Sequence, residues 1–232
     1  MQNTQNQTPS ILDYTKVRLV GYTQAAPEFK EDFETVKDLI AFCARVSNPS
    51  NQMNSQTADK LISYLAKHKH WSPFEMASAT IEIETTRDIA RQLLRHRSFA
   101  FQEFSQRYAD PVKDLNFVLR EARLQDTKNR QNSISLDDSL LSKAITQEWN
   151  RRQQEVIDLV TEHYRWAANA GIAKEQARAI LPEGNTMSRL YVQGTIRSWI
   201  HYIEVRTDES TQLEHRELAK LIAEVCTKTF SI

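Results

Sequence analysis

The sequence predicts an α+β fold: a single domain in which a mixed or antiparallel sheet packs against long helices. Residues 77–84 alternate apolar and polar side chains, the period of a half-covered strand. Other stretches, the longest over 138–169, repeat apolar residues at the spacing of an amphipathic helix. Strand-like and helix-like segments also come in mixed order, where a doubly wound parallel sheet needs strict alternation. A chain of 232 residues, 40% hydrophobic and 26% charged, suits one globular domain with a buried core.

Residues 1–12 read as a polar, flexible leader and 13–232 as the domain. Residues 16–24 form a short strand. A helix over 32–45 carries Phe33, Val36, Leu39, Ile40 and Cys43 on one stripe, and a second over 57–69 turns Ala58, Leu61, Ile62 and Leu65 inward. Between them lies an Asn- and Ser-rich loop around Pro49. The strand at 77–84 aims Ala77, Ala79, Ile81 and Ile83 at the core. A helix over 86–96 buries Ile89, Ala90, Leu93 and Leu94 and lines up Arg87, Arg91 and Arg95 on another face. Leu115, Phe117 and Leu119 mark a further strand, and 121–138 is a polar insertion, a loop or lid.

The long helix faces the core with Leu141, Ile145, Trp149, Val156, Val160, Tyr164 and Ala168 and ends at Gly171. A short helix over 174–181 stops at Pro182. Residues 187–193 suggest a strand, and 195–205 a helix with Ile196, Trp199, Ile200 and Ile203 on its apolar face. Thr211 and Glu214 have the spacing of a capping box opening a last helix, whose core side is Leu218, Leu221, Ile222 and Val225.

Composition narrows the function. Thirty Lys and Arg balance thirty Asp and Glu, so the global basic field of a non-specific nucleic-acid binder is missing. Four glycines leave no room for a glycine-rich phosphate loop, so any nucleotide is held by side chains and helix ends. Cys43 and Cys226 lie far apart on apolar positions and read as core residues. No stretch is apolar and long enough to span a bilayer, and the first residues lack a signal peptide's pattern, which gives the expectation of a cytoplasmic protein without membrane partners.

The densest polar signal is Arg95-His96-Arg97, then Glu103, Ser105, Gln106, Arg107 and Tyr108. Three cationic or potentially cationic groups in a row call for an anion. Arginine forks and a serine suit phosphate, although a solvated face with salt bridges to Glu103 is the plainer reading. His68, His70, Ser72 and Glu75 form a second set. Its spacing is poor for zinc, so no metal site is expected; a turn presenting His70, Ser72 and Glu75 to a ligand competes with an ordinary helix-to-strand connection. Arg197, His201, Arg206 and Asp208, with Arg178 upstream, form a third, Arg197 and His201 sharing a helix face.

Arg95-His96-Arg97 followed after seven residues by Ser105 resembles the RHRx7S signature of flavin-dependent thymidylate synthases. The likeness extends to Ala44-Arg45-Val46-Ser47, His70 to Glu75, Ala90-Arg91-Gln92, Ala177-Arg178 with Leu181-Pro182, and Arg197-Ser198 through His201 to Arg206. Only the leader and 121–138 look unshared.

The resemblance implies the α+β fold of thymidylate-synthase-complementing proteins and conversion of dUMP to dTMP with FAD, NADPH and methylenetetrahydrofolate. It also implies a homotetramer with active sites shared between subunits. It assigns dUMP to Gln92, Arg95, Glu103, Phe104, Ser105, Gln106, Arg107, Arg206 and an Arg178 from another subunit. It assigns FAD to Ser47, Arg95, His96, Arg97, Glu103, Thr195, Arg197 and His201, with His70, Ser72 and Glu75 lining the flavin pocket. Arg206 is the expected catalytic residue, acting at N3 of the base, and neither cysteine lies in a matching motif.

Two positions depart from the family pattern: Thr195 where many relatives have Asn, and Ser210 where many have His. Ser105 as a nucleophile is the weaker reading, since such a serine needs a base and an orienting group. Two other classes compete. One is a nucleic-acid module in which the arginines track phosphates and Phe99, Phe101 and Tyr108 stack on bases; the other is a non-catalytic flavin or nucleotide binder.

Overall fold

The computed structural model describes residues 10–230. In chain order its helices are α1 (Ile11–Tyr14), α2 (Val36–Ala44), α3 (Ala58–Lys67), α4 (Arg87–Leu93), α5 (Pro111–Asp114), α6 (Leu140–Asn169), α7 (Lys174–Ala177), α8 (Ile196–Arg206) and α9 (Leu213–Phe230). The strands are β1 (Lys16–Tyr22), β2 (Ser78–Thr86), β3 (Ala100–Glu103), β4 (Arg123–Gln125), β5 (Ser133–Ser135) and β6 (Met187–Thr195). The main sheet has the order β1-β2-β6-β3 and every pairing in it is antiparallel. The predicted α+β class holds.

The centre of the sheet follows from its alternation. Ala79, Ile81 and Ile83 of β2 and Leu190 and Val192 of β6 are almost wholly buried in one cluster with Trp199 and Tyr202 of α8 and Leu218 and Ile222 of α9. Both central strands turn directly into helices. Thr86 precedes α4, and the Thr195 hydroxyl caps α8 by accepting from the Ser198 amide at 3.2 Å. A Cβ on Gly194 would lie 2.2 Å from the Phe99 ring, so only glycine lets that ring lie on β6, where it packs tilted against Trp199 with ring centres 4.4 Å apart.

Helix ends follow the expected chemistry where it is local. Gly171 has φ 78°, and the amides of Gly171 and Ile172 reach back to the carbonyls of Ala168 and Ala167, a Schellman closure of α6. Lys69 closes α3 the same way at φ 57°, a left-handed conformation that costs a non-glycine residue about 1 kcal/mol.

Several expectations need correction. Of the expected leader, Ser10 caps α1 with a capping box and residues 11 and 12 lie within that helix; the rest lies outside the described residues. The first long helix begins at Val36, not 32, because Thr35 and Asp38 cap it. Instead of a strand at 115–119 there is an isolated bridge from Phe117 to Thr186. Within the insertion at 121–138, β4 and β5 pair as a hairpin, a local order that its polar composition did not reveal. The strand β3 was not expected at all. The Thr211–Glu214 capping box does not form, since Glu214 is buried against Arg120 and Arg123 and Thr211 donates to the Val205 carbonyl.

Helix α6 departs most. It buries Ser142, Gln153, Ile157, Tyr164 and Ala167, while Leu141, Ile145, Trp149, Val156, Leu159 and Trp166 are exposed, Leu141 to 71% and Trp166 to 64%. Gln153 holds it to the domain, accepting from the Arg120 amide at 2.7 Å and donating to the Arg120 carbonyl at 2.9 Å. Most of the predicted core stripe is therefore an outward apolar face. Among the described residues no helix is long and apolar enough to cross a membrane.

Candidate active site

The site grows from the turn after α4. The amides of Arg95 and His96 bond to the carbonyls of Gln92 and Leu93, which ends the helix and throws the Arg-His-Arg run into the bend before β3. Arg87 and Arg91, on the same arginine row, are neutralised locally. Arg87 is buried between Glu183 at 3.3 Å and Glu103 at 3.4 Å, and Arg91 also meets Glu183 at 3.3 Å. Arg95 and Arg97 are exposed and form no ion pair with any described carboxylate.

His96 is not a third cation. Its Nε2 accepts from Arg206 Nε at 2.9 Å across the fold, which places its own proton on Nδ1. Burial, the Arg206 charge and His201 push its pKa down to about 4. The pair joins the bend to the C-terminal end of α8, and the Tyr202 ring meets His96 edge-on at 5.0 Å.

Also on α8 and one turn apart, Arg197 and His201 face a cleft of about 310 Å³ with Trp71, Glu75, Ser98 and Glu204. Glu75 accepts from Arg197 at 2.7 Å, and the Ser198 hydroxyl reaches the Ser98 carbonyl at 3.4 Å. The strained Lys69 precedes the segment that delivers Glu75: exposed His70, ring-packed against Tyr64 and His68, then a 3-10 turn over Ser72–Met76. The ligand-presenting turn is thus built, with Glu75 rather than His70 engaged at the cleft. Among the described residues no group of three or more His, Cys, Asp or Glu gathers in a way that could hold a metal.

The nucleotide set is partly assembled. Glu103 accepts from the Ser188 hydroxyl at 2.8 Å and pairs with Arg87, and Phe104 is tied by its amide to the Arg189 carbonyl. Ser105 opens a turn in which the amides of Tyr108 and Ala109 return to its carbonyl. Gln106 is 4% exposed and its Nε2 has no hydrogen-bond partner, a buried donor waiting for an acceptor. Arg107 is held at 3.4 Å by Glu175 of α7, and Lys174 donates to the Tyr108 carbonyl, so the half-buried Arg178, just beyond α7, belongs to a segment tied to this turn within the same chain. Ser47 is apart: it lines a separate cleft of about 500 Å³ between α2 and α3, beside Arg45 and Tyr64. Thr195 spends its hydroxyl on the α8 cap.

Sequence reasoning missed a set of side chains beneath Gln92: Tyr202, Gln212, Glu214 and His215, all on α8, α9 or the link between them. A histidine inside the apolar stripe of the last helix was the available signal.

Exposed arginines without carboxylate partners, a buried amide donor and a small cleft, set on an antiparallel α+β domain, are the kind of donor set that suits an anion. The family described as thymidylate synthase complementing protein matches residues 31–230, and this chain belongs to it. A probable flavin-dependent thymidylate synthase of Paramecium bursaria Chlorella virus 1 is 49% identical over 203 residues, covering 86% of this chain and 89% of its own. A flavin-dependent thymidylate synthase of Synechocystis sp. is 46% identical over 218 residues, covering 92% and 95%. Among solved structures, a UMP/dUMP methylase, PolB, from Streptomyces cacaoi bound with 5-Br dUMP superposes with a TM-score of 0.75 at 25% identity, covering 93% of this chain and 90% of its own.

Proposed function

We propose that this protein is a flavin-dependent thymidylate synthase: it methylates dUMP to dTMP with methylenetetrahydrofolate as one-carbon donor, FAD as redox cofactor and NADPH as reductant. The observation that carries the reading is Arg206 bonded to a neutral His96 beside the uncompensated Arg95 and Arg97. The family membership and the named relatives support the same activity.

The residues present fit a flavin. Arg95 and Arg97 supply uncompensated cations for a diphosphate, and Trp71, Ile200, Arg197 and His201 give the cleft the mixed apolar and polar lining of a ring-binding site. When bound, FAD supplies the reducing equivalents for the uracil ring. This chain's residues do the rest. Arg206 places a fixed guanidinium where the pyrimidine gains negative charge, and such a preorganised charge stabilises a transition state more than water does. Neutral His96 holds the Arg206 Nε–H in place without repelling it. Arg107, Ser105 and Gln106 offer donors to the nucleotide.

Neither thiol suits attack on the base. Cys226 is buried, its pKa pushed up to about 12, and burial raises Cys43 as well, so both are kept from the reactive thiolate.

The cleft is at the small end for a ligand of this size, and the α6 face is apolar and uncovered. Both favour a homotetramer in which a neighbouring chain completes each site. The test is the visible spectrum of the purified protein. A bound flavin should show, and it should bleach when NADPH is added with dUMP. A colourless protein that does not take up added FAD would overturn the reading.

A further inference from the structure

A file of hydrogen bonds runs from the core to the base of the β4–β5 hairpin, and its direction is set from one end. Glu214 is 3% exposed. Burial by itself would raise its pKa, but Arg120 at 3.1 Å and Arg123 at 2.6 Å pull it below the usual range, so both oxygens act as acceptors. Gln212 must then turn its amide nitrogen to Glu214, donating at 2.9 Å. That leaves Gln212 Oε1 to accept from Gln92 Nε2 at 2.7 Å. Gln92 Oε1 now faces His215 Nδ1 at 3.1 Å, and since an amide oxygen only accepts, Nδ1 carries the proton. His215 Nε2 is left bare and accepts from the Tyr202 hydroxyl at 3.1 Å. His215 and Tyr202 are wholly buried, so no water competes for these bonds.

We propose that Tyr202, Gln212, Glu214 and His215 are positioning residues that lock the Gln92 amide in a single orientation for the nucleotide. A free glutamine presents its carbonyl or its NH2 group by a simple flip; here either end is committed. One N–H of Gln92 stays outside the file, so the group it serves is a hydrogen-bond acceptor, such as a carbonyl oxygen of a pyrimidine base. The inference rests on the nucleotide reading of Gln92 given above.

Titration of the flavin-loaded protein with dUMP tests it, on the parent and on His215→Leu and His215→Gln. Leucine fills the volume but leaves Gln92 Oε1 unbonded; glutamine can both donate to Gln92 and accept from Tyr202. For His215→Leu, Kd and KM for dUMP should rise about tenfold with kcat nearly unchanged, and His215→Gln should restore most of the affinity. Unaltered dUMP affinity in His215→Leu, or no rescue by glutamine, overturns the proposal. If the leucine variant does not fold, Tyr202→Phe replaces it, with about a threefold rise expected and an unchanged Kd counting against. Nitrogen-15 NMR of labelled histidine in the parent protein gives a readout free of nucleotide: His215 should be the neutral Nδ1–H tautomer, and an Nε2–H tautomer overturns the file. A parent protein with that tautomer that fails to bind dUMP would instead overturn the nucleotide reading.

Discussion

Mild acid should destabilise this protein through His215. In the fold its pKa is pushed down to about 3 by burial, by the Arg206 charge and by His96. Unfolded, it returns to about 6.5. A group whose folded pKa is depressed in this way stabilises above its unfolded pKa and loses that contribution as pH falls: below about 6.5 the unfolded chain takes up a proton that the folded one refuses until about pH 3. The slope across the window is about 1.4 kcal/mol per pH unit, so His215 alone should cost about 2 kcal/mol between pH 7 and pH 5. His96, lowered to about 4 and only half-buried, adds a smaller, solvent-screened loss of the same sign. Urea unfolding at fixed protein concentration, at pH 7, 6 and 5, on the parent and His215→Gln would measure this. The parent should lose about 2 kcal/mol more than the variant over that interval. Parallel losses would refute the buried neutral histidine.

Arg206→Lys keeps the charge but loses the planar fork and the Nε–H given to His96; steady-state assays should show kcat down by about 10²–10³ with flavin absorbance retained, and a near-normal kcat would remove Arg206 from the chemistry. Ser105→Ala should raise KM for dUMP while keeping turnover, whereas mass spectrometry finding nucleotide covalently attached to Ser105 in the parent would contradict its binding role. Gly194→Ala drives a methyl into Phe99, wedged against Trp199, and should cost about 1–3 kcal/mol in denaturant unfolding; an unchanged midpoint would mean the ring moves freely. Leu159→Glu, on the exposed face of α6, should shift the proposed homotetramer to smaller species in sedimentation, and a parent and variant of the same size would place any subunit contact elsewhere.

What was legible in the sequence is what neighbouring residues decide. The alternation of residues 77–84 located β2 and its buried side chains, and Gly171 marked the end of α6, because both signals are local. Strand β3 went unseen because it is four residues long and sits within the charged run that dominated the reading of its neighbourhood. The α6 stripe was read as core because an apolar face has the same pattern whether its own chain or another covers it. Glu214 looked like a capping residue until Arg120 and Arg123, distant in the chain, claimed it.

The site divides along the same line. The run from Arg95 to Arg107 suggested an anion by residue type and spacing, with a solvated charged face as the plainer reading, and it was the RHRx7S resemblance that tied it to a nucleotide. The neutrality of His96 did not show, because burial in the fold and the charge of Arg206, 110 residues away, set it together. His215 drew no attention in the sequence, because only the fold brings Gln92 and Tyr202 to its two nitrogens.

The central claim is that uncompensated arginines and a bound flavin methylate dUMP with no cysteine nucleophile. Its most direct test is dTMP formation, followed by mass spectrometry, when dUMP, methylenetetrahydrofolate and NADPH are supplied to the flavin-loaded protein and to its Cys43→Ser, Cys226→Ser double variant. Multiple turnovers in both are expected. Preparations that hold flavin and dUMP yet form no dTMP, or a double variant that folds and binds both but is inactive, would contradict the account.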